Sequence, residues 1–162
     1  TRVQVWADGD TQNALLGRFA YAFVQAAGST YPPILEMNTI DGPLEIDGAG
    51  GVIRLDPVTV GHGAIDSLGF RIADLVYLPD VGEMTDDAWK AVENLDCWVL
   101  DALRRSPHPT HAHRDMAIEL ARKIKARKTV LTHMDKSMDY RTLCDEVPKD
   151  VVVGFDGLGL EV

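Results

Sequence analysis

Three polar side chains stand where an apolar run gives way to a loop. His62 follows Val58-Thr59-Val60, Asp80 follows Leu75-Val76-Tyr77-Leu78-Pro79, and His133 follows Val130-Leu131-Thr132. A carboxylate at the mouth of a buried strand needs a charge partner, hydrogen bonds or a metal, because an unpaired charge among apolar groups is too costly. Neutral imidazole and carboxylate together suit Zn²⁺, Mn²⁺ or Fe²⁺. His62 is flanked by Gly61 and Gly63, which remove side-chain bulk and let backbone come close to a ligand. Asp80 has a competing role as a helix cap, yet the next helix-start signal, Thr85-Asp86-Asp87, comes several residues later. His62, Asp80 and His133 are therefore the candidate metal ligands.

Further groups cluster between two of them. Asp101 ends the apolar run Cys97-Trp98-Val99-Leu100, placed either to orient a ligand histidine from behind or to pair with Arg104. Arg104 and Arg105 each present a planar fork that matches oxyanions; Arg104 is the candidate phosphate binder, and Arg105 fits a surface salt bridge better. His108, His111 and His113 follow in a loop. Asp156, in the turn Gly154-Phe155-Asp156-Gly157, is either a turn residue or a supporting carboxylate behind the site.

The elements that must position these groups are legible in outline. The chain has 162 residues, 46% of them hydrophobic, which is enough for one domain over residues 1–162 with one core. A short strand near Val3-Gln4-Val5-Trp6 leads to a helix running to about Phe23, capped in the stretch Asp8 to Asp10. Strands over 34–40, 44–46 and 52–60, separated by Asp41-Gly42-Pro43 and by Asp47-Gly48-Ala49-Gly50-Gly51, predict an antiparallel meander that breaks at Gly61-His62-Gly63. Strands then follow over 68–72 and 75–78. From Thr85 onward helices alternate with strands: helix 85–94, strand 97–100, helix 111–126, strand 129–131, helix 140–146 and strand 151–155. That alternation implies right-handed crossovers with helices covering a sheet, an α/β layered unit.

Composition narrows the function. A net charge of −9 argues against wrapping a nucleic-acid backbone, whose affinity comes chiefly from Lys and Arg on phosphates. It leaves room for a small anionic substrate, since a bound metal reverses the local sign. No apolar run approaches the ~18 residues of a membrane helix, so no membrane partner is expected. Cys97 and Cys144 are isolated, and Cys97 reads as a small buried hydrophobe. Their pattern fits a reducing compartment, and the expectation is cytoplasmic.

Four motifs in order carry a resemblance over essentially the whole chain. Asp56-Pro57-Val58-Thr59-Val60-Gly61-His62, with Leu68-Gly69-Phe70-Arg71-Ile72, resembles the fourth-histidine segment of metallo-β-lactamase-fold hydrolases. Val76-Tyr77-Leu78-Pro79-Asp80-Val81 resembles their bridging-aspartate strand, Val130-Leu131-Thr132-His133-Met134 the final-histidine strand, and Gly154-Phe155-Asp156-Gly157 the close of the domain. Leu100-Asp101-Ala102-Leu103-Arg104 with Pro107-His108-Pro109-Thr110-His111 resembles the phosphodiesterase branch, which includes the cyclic phosphodiesterases of phosphonate breakdown. One departure stands out. The HxHxDH signature is missing; the two alternating histidines of Thr110-His111-Ala112-His113 lie on the far side of Asp80.

The resemblance implies an αββα sandwich incomplete at its N-terminus, the C-terminal two-thirds or so of such a domain. It implies two divalent ions, Zn or Mn with Fe as a further option, with His62 on one, His133 on the other and Asp80 bridging them. His111 then takes the place of the loop histidine that protonates the leaving group or touches phosphate, a dual ability expected of imidazole near neutrality. On this reading Asp80 and His111 are catalytic, His111 and Arg104 bind substrate, and Asp101 and Asp156 support the ligands. The function implied is a metal-dependent phosphodiesterase acting on a small phosphorylated or nucleotide-like substrate, with a homodimer compatible. Two other readings stay open: a same-fold hydrolase of a thioester, lactam or RNA, and a non-catalytic nucleotide- or metal-binding remnant.

Overall fold

A computed structural model describes residues 1–161, which divide into two compact units, 1–44 and 45–162 with its last residue outside the description. In the first unit, β1 (Val3–Ala7), α1 (Gly9–Phe23) and β2 (Leu35–Thr39) form a βαβ motif. Asp8 caps α1 by accepting from the backbone N–H groups of Asp10 and Thr11, which satisfies two of the helix's orphan donors. The strand expected to open the meander is instead β2, paired parallel with β1 from Val3 opposite Leu35 to Ala7 opposite Thr39. The reason is the helix between them: a crossover of that length returns the chain in the same direction, whereas a meander needs tight turns.

The second unit is built on a seven-stranded sheet ordered β3-β4-β5-β6-β7-β8-β9. Its strands are β3 (Leu44–Gly48), β4 (Gly51–His62), β5 (Ile65–Ile72), β6 (Leu75–Leu78), β7 (Cys97–Asp101), β8 (Lys128–Thr132) and β9 (Val151–Val153). The expected break before His62 is a correction: Gly61 and His62 stay in β4, opposite Asp66 and Ile65, and the chain turns only at Gly63. The β4–β5 and β5–β6 pairs are antiparallel, whereas β6 through β9 run parallel.

Three helices connect the parallel strands: α2 (Asp86–Ala91), α3 (Arg114–Ile124) and α4 (Tyr140–Glu146). Because successive strands are also neighbours, crossovers of one hand put all three helices on one face. Alternation along the strands matches. Val76, Leu78, Trp98, Leu100 and Leu131 are fully buried in the core with Ala88, Ala117 and Leu143 from the helices, while Tyr77 is exposed. The helix expected over 111–126 begins later, at Arg114, because Leu103 N–H donates to Ala112 O and Ala112 N–H donates to Asp101, so the backbone is held as a loop. Lys125, in the left-handed region at φ 56°, ends it. Among the described residues no helix is long and apolar enough to cross a membrane.

One consequence of strand direction positions the site. Since β5 runs against both β4 and β6, β4 points the same way as the parallel set. The C-terminal ends of β4, β6, β7 and β8 therefore open on one edge of the sheet, where open α/β sheets hold their ligands.

Candidate functional site

Each strand end delivers one polar group to that edge: His62 from β4, Asp80 two residues beyond β6, Asp101 from β7 and His133 just beyond β8. Three close contacts join the loops there. Gly61 N–H donates to Glu83 O at 2.9 Å, while Gly82 and Glu83 N–H both donate to Gly61 O at 2.8 and 2.9 Å. The loop carrying Asp80 is thus tied to the strand carrying His62. Gly82 has to be glycine: a Cβ there would lie 2.7 Å from Thr110 O and 3.0 Å from Gly61 O. Gly63, at φ 79°, would place a Cβ 2.5 Å from Thr110 Cγ2, so the histidine loop also packs on the β4 turn.

Asp101 lies at the centre and is fully buried. Its Oδ2 accepts from Val81 N–H at 3.1 Å, Ala112 N–H at 3.2 Å and His111 Nδ1 at 2.9 Å. Burial pushes the Asp101 carboxyl above its ordinary range, against the opposing pull of the Val81 N–H and His111. Its other oxygen, Oδ1, has no hydrogen-bond partner and faces His133 Nδ1 at 3.5 Å.

His111 connects the cluster. With Nδ1–H directed at Asp101, its Nε2 meets His62 Nε2 at 3.1 Å. Its ring centroid lies 4.5 Å from that of His62 and 4.9 Å from that of His133. Asp80 Oδ1 is 3.6 Å from His111 Nδ1 and 3.7 Å from His133 Nδ1. Two sets of side chains bring ligand atoms within 4.8 Å of one another: His62, Asp80 and His111, and Asp101, His111 and His133. His133 sits at φ 58°, the left-handed region a histidine rarely adopts, and such strain collects where a side chain must be aimed.

The chemistry of this donor set fits divalent cations. Three imidazoles and two carboxylates, drawn from four strand ends and one loop, crowd together with no basic side chain among them. A buried carboxylate oxygen without a partner adds acceptor capacity that a cation or a ligand histidine satisfies.

Not every predicted residue joins the cluster. His62 and His133 fall in different sets, with His111 common to both. The Arg104 guanidinium donates to Ser106 O at 3.1 Å and to Pro107 O, within its own loop. Arg105 pairs with Glu146 at 2.8 Å. Asp156 is exposed after β9, beside a cleft of about 670 Å³ that also borders His133, Asp135, Val130 and Phe155. His108 stands next to His111, 5.0 Å between ring centroids, and accepts at Nδ1 from Thr110 N–H at 3.3 Å. Desolvation and Arg104 lower its pKa. The sequence reading missed Gly82, Thr110 and Glu146, none of which carries a ligand-type pattern. Only the Pro107-His108-Pro109 bracket hinted that the loop is shaped.

Comparison with known proteins now decides the lineage. Residues 1–134 match the model of the β-lactamase superfamily domain. The chain belongs to that superfamily. A solved diphosphatase from the PhnP family superposes with a TM-score of 0.84 at 30% identity, covering 100% of this chain and 59% of that one. Zn²⁺-bound PqqB from Methylobacterium extorquens follows at 0.71 and 15% identity, covering 100% and 66% of the two chains. The short form of human tRNase Z gives 0.57 at 14% identity, covering 97% and 66%. Likeness at the lower identities establishes the metallo-β-lactamase fold alone. The chain thus spans roughly three-fifths to two-thirds of these β-lactamase-superfamily structures. No curated protein sequence matches the chain.

Proposed function

We propose that these residues form part of a metal-dependent phosphodiesterase that acts on a small phosphodiester or nucleotide-like substrate, a diphosphate linkage included. The observation that carries the proposal is the meeting of His62, Asp80, His111 and His133 over the buried carboxylate of Asp101. The structurally similar diphosphatase of the PhnP family supports the substrate class.

In this reading two divalent ions, when bound, supply charge stabilisation and an activated water for in-line displacement at phosphorus. His62 would hold one ion and His133 the other, and the Asp80 carboxylate, 3.7 Å from His133 Nδ1, would supply the negative charge that offsets them. Asp101 accepts Nδ1–H of His111 and so leaves Nε2 as the exchanging nitrogen; in the imidazolium form, with both nitrogens protonated, His111 gives the Nε2 proton to the departing oxygen and is left neutral on Nδ1–H. Its Oδ1, 3.5 Å from His133 Nδ1, places Asp101 to orient that ring once His133 takes up a ligand. The cleft beside His133 takes the part of the substrate that does not react.

The test compares wild type with Asp80→Ala in the complete protein. Metal content is measured by elemental analysis, and hydrolysis is followed on bis(p-nitrophenyl) phosphate and on a nucleoside diphosphate ester. Expected are about two ions per wild-type chain, metal-dependent turnover, and loss of at least about 10³-fold in the variant. Full turnover by Asp80→Ala sinks the mechanism. One ion or none in wild type, with no turnover, favours a binding remnant instead.

A further inference from the structure

The loop between β7 and α3 carries both His108 and His111, and two backbone bonds pinch its base: Leu103 N–H to Ala112 O and Arg114 N–H to Arg104 O, each 2.9 Å. From inside, the loop is held by His111 on Asp101. From outside, arginines at both ends of the loop meet one side chain, Glu146 of α4. Arg105 leaves the outgoing arm and donates through Nη1 to both Glu146 oxygens, at 3.0 and 2.8 Å. Arg114, the first residue of α3 where the returning arm ends, donates through Nη1 to Glu146 Oε2 at 2.7 Å. Arg105 Nε also reaches Ser137 O at 3.1 Å.

Glu146 does nothing for its own helix. It is the last residue of α4, where a negative charge opposes the partial charge of the helix end. It lies instead between Arg105 and Arg114, the second of which also pairs with Asp115 through Nε at 2.8 Å, and it receives charge-assisted bonds from Nη1 of each. Its side chain keeps 31% exposure and those of Arg105 and Arg114 keep 33% and 27%, so the trio is sheltered more than an ordinary surface pair.

We propose that Glu146 is a positioning residue, clamping both arms of the histidine loop so that His111 Nε2 is aimed at His62 and the strand-end cluster. The kinetic part rests on the function proposed above; the loop part does not. Small misplacements of a reacting group cost up to ~10²-fold in rate. Because Asp101 still holds His111 when the clamp is lost, the expected loss is smaller.

The experiment makes Glu146→Gln, which keeps shape and removes charge, in the complete protein. Amide hydrogen exchange is followed by mass spectrometry alongside steady-state kinetics and bound-metal content. Expected is about tenfold faster exchange confined to residues 104–113, with kcat down about tenfold. KM and metal content stay within about twofold of wild type. Adding Arg105→Gln to Glu146→Gln has less effect than the two single changes summed, since they share the Glu146 contact and only the Arg105–Ser137 bond is lost anew. Unchanged loop exchange overturns the proposal whatever the activity. Faster exchange throughout the sheet overturns it too, because Glu146 would then be general structural support. Faster loop exchange with unchanged kcat also overturns it. If wild type shows no turnover, the phosphodiesterase reading has failed, and loop exchange alone decides the clamp. Should Glu146→Gln not fold, Arg105→Gln and Arg114→Gln carry the same readouts.

Discussion

Replacing Asp101 tests the heart of the site without assuming any activity. Asp101→Ala removes the acceptor of three hydrogen bonds, those from Val81 N–H, Ala112 N–H and His111 Nδ1. Val81 and Ala112 are themselves fully buried, so their N–H groups lose a partner away from bulk water. A buried donor left unsatisfied costs about 1–3 kcal/mol. Against this stands the expense of burying the carboxylate, visible in its raised pKa. The expected net loss is about 2–4 kcal/mol for Asp101→Ala. Asp101→Asn behaves differently. Its amide oxygen can occupy the Oδ2 position, while the NH₂ lies where Oδ1 has no partner and faces His133 Nδ1. The expected loss there is about 1 kcal/mol. Urea unfolding in EDTA, followed by circular dichroism and tryptophan fluorescence, measures both differences apart from metal binding. An alanine variant within about 0.5 kcal/mol of wild type refutes the reasoning. So does an asparagine variant as damaged as the alanine one.

Removing His62 or His133 is expected to lower divalent-metal affinity at one ion each, and Asp101→Asn to weaken it about 10–100-fold, as chelator competition would measure. Gly82→Ala puts a Cβ 2.7 Å from Thr110 O, a backbone atom that cannot swing aside, and is expected to cost about 1–3 kcal/mol in thermal unfolding. An unshifted melting temperature would count against the loop contact. Hydrogen bonds from Arg105 and then Arg114 hold the Glu146 carboxyl below its ordinary 4.5, so the folded chain binds that proton less readily than the unfolded chain. Its contribution to stability is therefore complete above the unfolded value and is lost as pH falls through the folded one. The stability gap between wild type and Glu146→Gln is expected to be flat at neutral pH and to close as the pH falls below the ordinary carboxyl value of 4.5. A gap independent of pH below that point would contradict the ion pair.

Much of the site was legible because strand ends are local features. The runs before His62, Asp80 and His133 announce buried strands through their own composition, and β6 is read from Leu75-Val76-Tyr77-Leu78 alone, since a short apolar run closed by Pro79 is a property of neighbouring residues. Helix α4 and the Asp8 and Thr85 caps were legible for the same reason, a cap being a bond across two or three residues. Pairing was not. Residues 34–40 carry the same strand signal whether they join a meander or lie parallel to β1, and only the closed βαβ motif decides between them. The two glycines around His62 suggest a break at Gly61-His62-Gly63, whereas bonds to the Glu83 backbone, from beyond the next two strands, keep Gly61 in the sheet. The central place of His111 and the Glu146 clamp also depended on the fold, for they join groups 49 and 41 residues apart. Residue types name the chemistry a chain can attempt. Which of them meet is settled by strand direction and by backbone bonds between distant loops, and neither is written in any single stretch.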